Sequence, residues 1–225
     1  ALKISYMNDI ANLCELVGAD ITDVAKGMSY DERIGARFLN AGIGFGGSCF
    51  PKDTKALKFL AKEHGYQLKT VEACVDVNSA QKTRLFAKAK ERMISFSGLK
   101  VAVLGLTFKA GTDDLREAPS IDNLKLLLDA GADVYAYDPK GAPRSKQIFP
   151  EGKIGQGTMH YVDSVELALE QANICFVFTE WPEIKAVRPE EFKKKMHTPL
   201  VYDGRNLYNP FAMDKEGVEY YSIGR

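Results

Sequence analysis

Apolar side chains recur at helical spacing in ISYMNDIANLCELVGA, which predicts a helix that stops near Gly18. A second helix is predicted over DITDVAKGM, with Asp20 as its N-cap. PKDTKALKFLAKEHG predicts a third: Pro51 suits the first turn, Leu57 and Leu60 are expected to face inward, and Gly65 ends it. One long helical pattern, rich in Ala, Lys and Arg, then runs from about Thr70 to Ser95. Near Ser97-Gly98 the period changes. KVAVLGL reads as a buried strand with a glycine turn, SIDNLKLLLDAG as a helix and ADVYAYDP as a second strand. MHYVD, VELALEQA, ICFVFTEW, RPEEFKKKM, LVYDGRN and EYYSIG continue the alternation.

This pattern divides the chain into a helical region over residues 1–94 and an α/β region over residues 95–225. Strands alternating with helices imply a doubly wound parallel sheet, covered on both faces by right-handed crossovers. Such a sheet takes ligands outside the C-terminal ends of its strands. Three segments are expected there: GLTFKAGTDDLREAPS with Lys109 and Arg116, YDP with Asp138, and YDGRN with Asp203 and Arg205. The three cations at that edge suit a phosphate-bearing ligand. The first turn reads G-L-T-F-K-A-G, so this region does not spell the usual dinucleotide cradle.

Charge and composition narrow the functional classes. Thirty basic and thirty acidic side chains cancel in 225 residues, so no broad basic field exists for nucleic acid. No apolar run approaches a membrane span, and no signal peptide is evident. The four cysteines show neither paired nor metal-ligand spacing, which points to reduced thiols in a cytoplasm and to no metal. Cys14, Cys74 and Cys175 fall in patterns that read as core. The chain begins within a helical pattern, without an initiator Met, and is expected to be a fragment.

Cys49 differs. It follows a glycine-rich run, GIGFGG, and immediately precedes the Pro51 helix start. Free N–H groups and the dipole at a helix start favour an anion, so a thiolate is favoured there. Lys52 adds positive charge, and Asp53 lies four residues on, where a carboxylate can order or deprotonate a water. A structural cysteine in a glycine turn is the competing reading from the residues alone. None of His64, His160 and His197 has a cysteine beside it in sequence, so no Cys–His pair is suggested.

DERIGARFLNAGIGFGGSCFPKD and LGLTFKAGTDDLREAPS resemble the nucleotide-sugar 6-dehydrogenases, and FTEW and YDGRN look closest to the UDP-glucose 6-dehydrogenase branch. The resemblance covers essentially the whole chain. It implies four-electron oxidation of UDP-glucose to UDP-glucuronate with reduction of two NAD. It also implies a central helical dimerisation region followed by a Rossmann-like UDP-binding domain, with the NAD-binding domain absent. By resemblance the nucleophile falls on Cys49 and the water-activating carboxylate on Asp53. Substrate contacts fall on Asn40, Ala41, Gly42, Ile43, Gly44, Phe45 and Gly46, on Phe108 and Lys109, and on Arg205. Arg33 matches an arginine that reaches a neighbouring subunit's substrate. Cofactor contacts fall on Cys49, Phe50, Pro51, Lys52 and Arg116. The family places a catalytic Lys and Asn just upstream of Ala1, so the chain alone is not expected to turn over. Asn40 stands where some members have a lysine. Alternatives are the GDP-mannose branch, an N-acetylhexosamine substrate, and an inactive nucleotide-sugar binding and dimerisation module.

Overall fold

A computed structural model describes residues 1–225. The helical region comprises α1 (Leu2–Val17), α2 (Ile21–Ser29), α3 (Cys49–Glu63), α4 (Lys69–Lys82) and α5 (Arg84–Arg92). The α/β region follows as β1 (Lys100–Leu104), α6 (Pro119–Asp129), β2 (Asp133–Tyr137), α7 (Ala142–Ile148), β3 (Gly152–Ile154), β4 (Gly157–Tyr161) and α8 (Val165–Leu169). It closes with β5 (Ile174–Val177), α9 (Pro182–Lys185), α10 (Pro189–Lys195), β6 (Leu200–Asp203), α11 (Pro210–Lys215) and β7 (Glu219–Tyr221).

The seven strands form one sheet in the order β3-β4-β2-β1-β5-β6-β7. All neighbours are parallel except the β3–β4 hairpin at one edge. The order reverses beside β1, which makes this a doubly wound sheet with a switch point at the end of its central strand. Side-chain alternation along β1 supplies both faces: Val101 and Val103 enter one core, Ala102 and Leu104 the other. The first core extends without interruption into the helical region, through Met7, Ala11, Ile43, Leu85 and Ala89. The second is closed by α8, α10 and α11, with Phe192 and Met213 fully buried. No helix is long and apolar enough to cross a membrane.

Local signals shape the ends. Asp20 caps α2 by accepting from the Thr22 N–H at 2.7 Å, and Gly18 takes the left-handed conformation that ends α1. Two expectations need correction. Leu57 and Leu60 do not face inward; they are 48% and 51% exposed, and Pro51 is the one buried residue of α3. The pattern from Thr70 to Ser95 is not one helix but two, broken at Thr83. There the Lys82 carbonyl accepts a hydrogen bond from the Asn123 side chain at 2.7 Å, a side-chain insertion into the helical ladder.

Candidate active-site cleft

Three loops at the C-terminal edge of the sheet meet the glycine run of the helical region. After β1, the backbone turns at Gly105, whose φ is +89° and where a Cβ would lie 2.4 Å from that of Thr179. Asp138, at the end of β2, holds this turn: it accepts from the Leu106 N–H at 2.6 Å, the Thr107 N–H at 3.0 Å and the Trp181 Nε1–H at 3.0 Å. Asp203, at the end of β6, accepts from the Arg205 and Leu207 N–H groups and from the Tyr220 hydroxyl. Both strand-end carboxylates therefore fix loops and leave little capacity for a ligand.

The glycine run is gripped by side-chain amides from the helices. Asn8 accepts from the Gly42 N–H at 2.9 Å, and Gln81 donates to the Gly42 carbonyl at 2.8 Å. Asn78 accepts from the Phe45 N–H at 2.8 Å and donates to the Phe45 carbonyl at 3.1 Å. On the sheet side the Ile43 N–H donates to Gly204 and the Gly47 N–H to Arg116, the latter at 2.7 Å. Gly46 lies so close to the Glu117 carbonyl that a Cβ would come within 2.4 Å of its oxygen. Glu117 is itself clamped between two lysines, Lys55 of α3 at 2.8 Å and Lys82 of α4 at 2.7 Å. Their ammonium groups hold its carboxyl down to about 2.

Read by letters alone, Gly42, Gly44 and Gly47 satisfy G-x-G-x-x-G. No strand precedes them, however, and the run connects two helices, so it is not the strand-turn-helix dinucleotide cradle.

These contacts leave a cleft of about 700 Å³ between the run and the sheet edge. Asn40, Ala41, Gly42, Gly44, Phe45, Gly46, Cys49, Phe50, Phe108, Lys109 and Arg205 line it. Ile43 does not; it is wholly buried beneath the run. Cys49 is the first residue of α3 and is exposed, whereas the other three cysteines are buried, and burial pushes the Cys175 thiol well up. The backbone N–H groups of Cys49 and Phe50 donate to no group of the chain. The one side chain in hydrogen-bond contact with the sulfur is Ser48, whose hydroxyl lies 3.9 Å away; no histidine bonds to it. Phe50 stands edge-on to Phe45, with ring centroids 5.5 Å apart.

The remaining expected residues lie outside the lining. Arg33 is exposed and paired with Asp31 at 2.6 Å. Pro51 is buried under the first turn of α3. Lys52 and Asp53 face solvent and pair at 3.5 Å. Arg116 pairs with Asp114 at 2.7 Å; Asp114 and, more weakly, Cys49 hold its guanidinium charged. The sequence reading missed Asn8, Asn78, Gln81, Glu117, Glu180 and Lys185. Asn8 sits between Met7 and Ala11 on the buried face of α1, and a polar residue at a core-facing helical position is the signal that could have revealed it.

The fold and cleft define the class: a doubly wound, Rossmann-like α/β protein with an exposed thiol at a helix start, opposite the ligand edge of its sheet. The central domain of the UDP-glucose/GDP-mannose dehydrogenase family matches residues 1–80, and the UDP binding domain of the same family matches residues 102–210. The chain belongs to this family. It is 45% identical to the UDP-glucose 6-dehydrogenase TuaD of Bacillus subtilis (strain 168), over all of this chain and 48% of that protein. It is 42% identical to the UDP-glucose 6-dehydrogenase AglM of Haloferax volcanii, over 99% of this chain and 49% of that one. The structure of a UDP-glucose dehydrogenase from Pyrobaculum islandicum superposes with a TM-score of 0.83 at 31% identity, covering 98% of this chain and 47% of that chain. The chain thus spans about half the length of the relatives it matches.

Proposed function

We propose that the protein carrying this chain oxidises UDP-glucose to UDP-glucuronate, and that this chain supplies the sugar-nucleotide cleft and the thiol. The observation that carries the reading is the exposed Cys49 sulfur at the start of α3, in a cleft shared with Lys109 and the gripped glycine run. The names of the relatives support the substrate.

Oxidising a primary alcohol to an acid requires two hydride removals, and NAD, when bound, accepts each hydride. The exposed cations Lys52 and Arg116 and the free N–H groups at the start of α3 fit one side of such a dinucleotide. This chain's residues supply the covalent and hydrolytic steps. The Cys49 thiol adds across the aldehyde C=O, sulfur to carbon and proton to oxygen, so the aldehyde stays bound as a thiohemiacetal. Loss of the second hydride from carbon, with the hydroxyl proton passing to water, leaves a thioester on Cys49. Asp53, one turn further along the same helix and open to water, accepts a proton from the water that hydrolyses it.

A dimer is part of the proposal. Leu2, Tyr6, Leu13 and Leu16 form an exposed apolar stripe along α1 at helical spacing, which a second copy would cover. Cys14, Cys49, Cys74 and Cys175 are all free thiols, which fits a reducing cytoplasm.

The test has two arms. Calorimetric titration of the chain is expected to show tighter binding of UDP-glucose than of GDP-mannose, and the reverse order overturns the substrate. In the complete protein, Cys49→Ala is expected to lower acid formation by about a thousandfold or more. Full activity in that variant overturns the nucleophile.

A further inference from the structure

Four cations border the cleft and the smaller cavity of about 310 Å³ beside it: Lys109, Lys185, Arg205 and Arg225. They are not equally free. Every side-chain nitrogen of Arg205 already donates to a main-chain carbonyl: Nε to Phe178 at 2.8 Å, one terminal nitrogen to Phe108 at 2.9 Å and the other to Gly44 at 3.5 Å. Its charge is also opposed by the Glu180 carboxylate, 3.3 Å away in the same cleft. Arg225 donates to the Ser222 hydroxyl, the Tyr208 carbonyl and the Tyr220 hydroxyl. Both arginines brace the walls, and Arg205 keeps one unused N–H on each terminal nitrogen.

The two lysines differ. Neither ammonium has a hydrogen bond or an ion pair, and Lys109 only leans over the Phe108 ring at 5.4 Å. Lys185 borders both cavities, at the end of α9. Its backbone is fixed: its N–H donates to the Trp181 carbonyl at 2.9 Å. Ile184 is wholly buried, and Trp181, the N-cap of α9, is anchored through its ring N–H to Asp138. A fixed main chain thus presents an exposed lysine, unpaired within the chain, that lines both cavities. An ammonium is a compact point charge suited to phosphate oxygens, and it gains most where the neighbouring arginine is already neutralised.

We propose that Lys185, beside Lys109, holds the diphosphate of a nucleoside-diphosphate ligand where the two cavities meet. The inference rests on the sugar-nucleotide reading above and adds to it a residue with a stated role.

Calorimetric titration of the chain with UDP at two salt concentrations tests it, using Lys185→Ala, Lys185→Arg and the control Lys125→Ala, which removes an exposed lysine of α6 that lines neither cavity. Lys185→Ala is expected to weaken UDP binding about tenfold at low salt, as for one lost charge-assisted contact, and to reduce the salt dependence. Lys185→Arg is expected to restore most of the affinity, and Lys125→Ala to leave it unchanged. UDP binding by Lys185→Ala at wild-type strength overturns the inference while leaving the sugar-nucleotide reading intact. An equal loss in Lys125→Ala also overturns it, because the effect would then be one of net charge. A wild-type chain that binds no UDP refutes both readings.

Discussion

In the sheet, β1, β5 and β6 bury every residue they carry except Lys100, whereas α3, the helix that carries the thiol, buries only Pro51. The strands are held by apolar packing: Phe178, Phe176, Tyr202 and Tyr221 stack in a row with centroid separations of 5.9, 5.3 and 5.0 Å. By contrast, α3 is held by charge and by ring edges, through Lys55 to Glu117, Lys58 to Glu72 and Phe50 to Phe45. The difference separates two tasks. The sheet edge is a stiff frame whose loops are tied to Asp138 and Asp203. The helix that presents the sulfur is tied to that frame by the partly exposed Lys55–Glu117 pair, a contact worth about 1 kcal/mol or less. Substitutions in the sheet should therefore appear as lost stability, and substitutions on α3 as lost chemistry.

The largest effect separating the two comes from paired deletions. Phe176→Ala removes a fully buried ring and is expected to cost about 3–5 kcal/mol in urea unfolding. Leu60→Ala on α3 is expected to cost about 0.5 kcal/mol or less, because its side chain is already half exposed. Equal costs would erase the contrast. Next comes the seam between the regions. Gly46→Ala places a methyl 2.4 Å from the Glu117 oxygen, so the run must shift; a loss of about 2–3 kcal/mol by the same measurement is expected. Asn78→Ala leaves the buried Phe45 N–H and carbonyl without their partner, for about 1–3 kcal/mol, and should weaken UDP-glucose binding in calorimetry because the run loses its grip.

The smallest effect is a pH dependence. The Glu117 carboxyl is depressed from 4.5 to about 2, so its contribution is fully present above about pH 4.5 and is lost as the pH falls towards about 2. The side chain is 40% exposed, which limits the contribution to about 1 kcal/mol or less. Acid unfolding of Glu117→Gln should lack that part of the slope. An unchanged slope between those pH values would remove the clamp from the description of the seam.

Much of the fold was legible because it depends on local pattern. The alternation after Gly98, the Asp20 cap and the glycine stop at Gly18 all act within a few residues. The buried reading of Cys14, Cys74 and Cys175 also holds, since a small apolar side chain in an apolar pattern has one natural destination. The α3 error is instructive. Leu57 and Leu60 have helical spacing, but periodicity states only that a helix has an apolar side; whether this chain covers that side depends on what lies next to it. The break at Thr83 was invisible because its cause, the Asn123 amide, is 40 positions away. In the cleft, residue types marked Cys49, Lys109 and the glycine run. The amide grips and the idle Lys185 were not marked, because a side chain's freedom depends on partners brought together only by folding. Arg205 shows the converse: its position at the strand end was readable, and the three carbonyls that occupy it were not.

The most direct measurement concerns the sulfur. The complete protein carrying Asp53→Asn is incubated with UDP-glucose and NAD, quenched in acid, digested and analysed by mass spectrometry for a mass added to the Cys49 peptide. A UDP-glucuronyl thioester on Cys49 is expected, because the variant forms the thioester faster than it hydrolyses it. Continued release of acid with Cys49 unmodified, or an adduct on another residue, would contradict the assignment of Cys49 as the nucleophile.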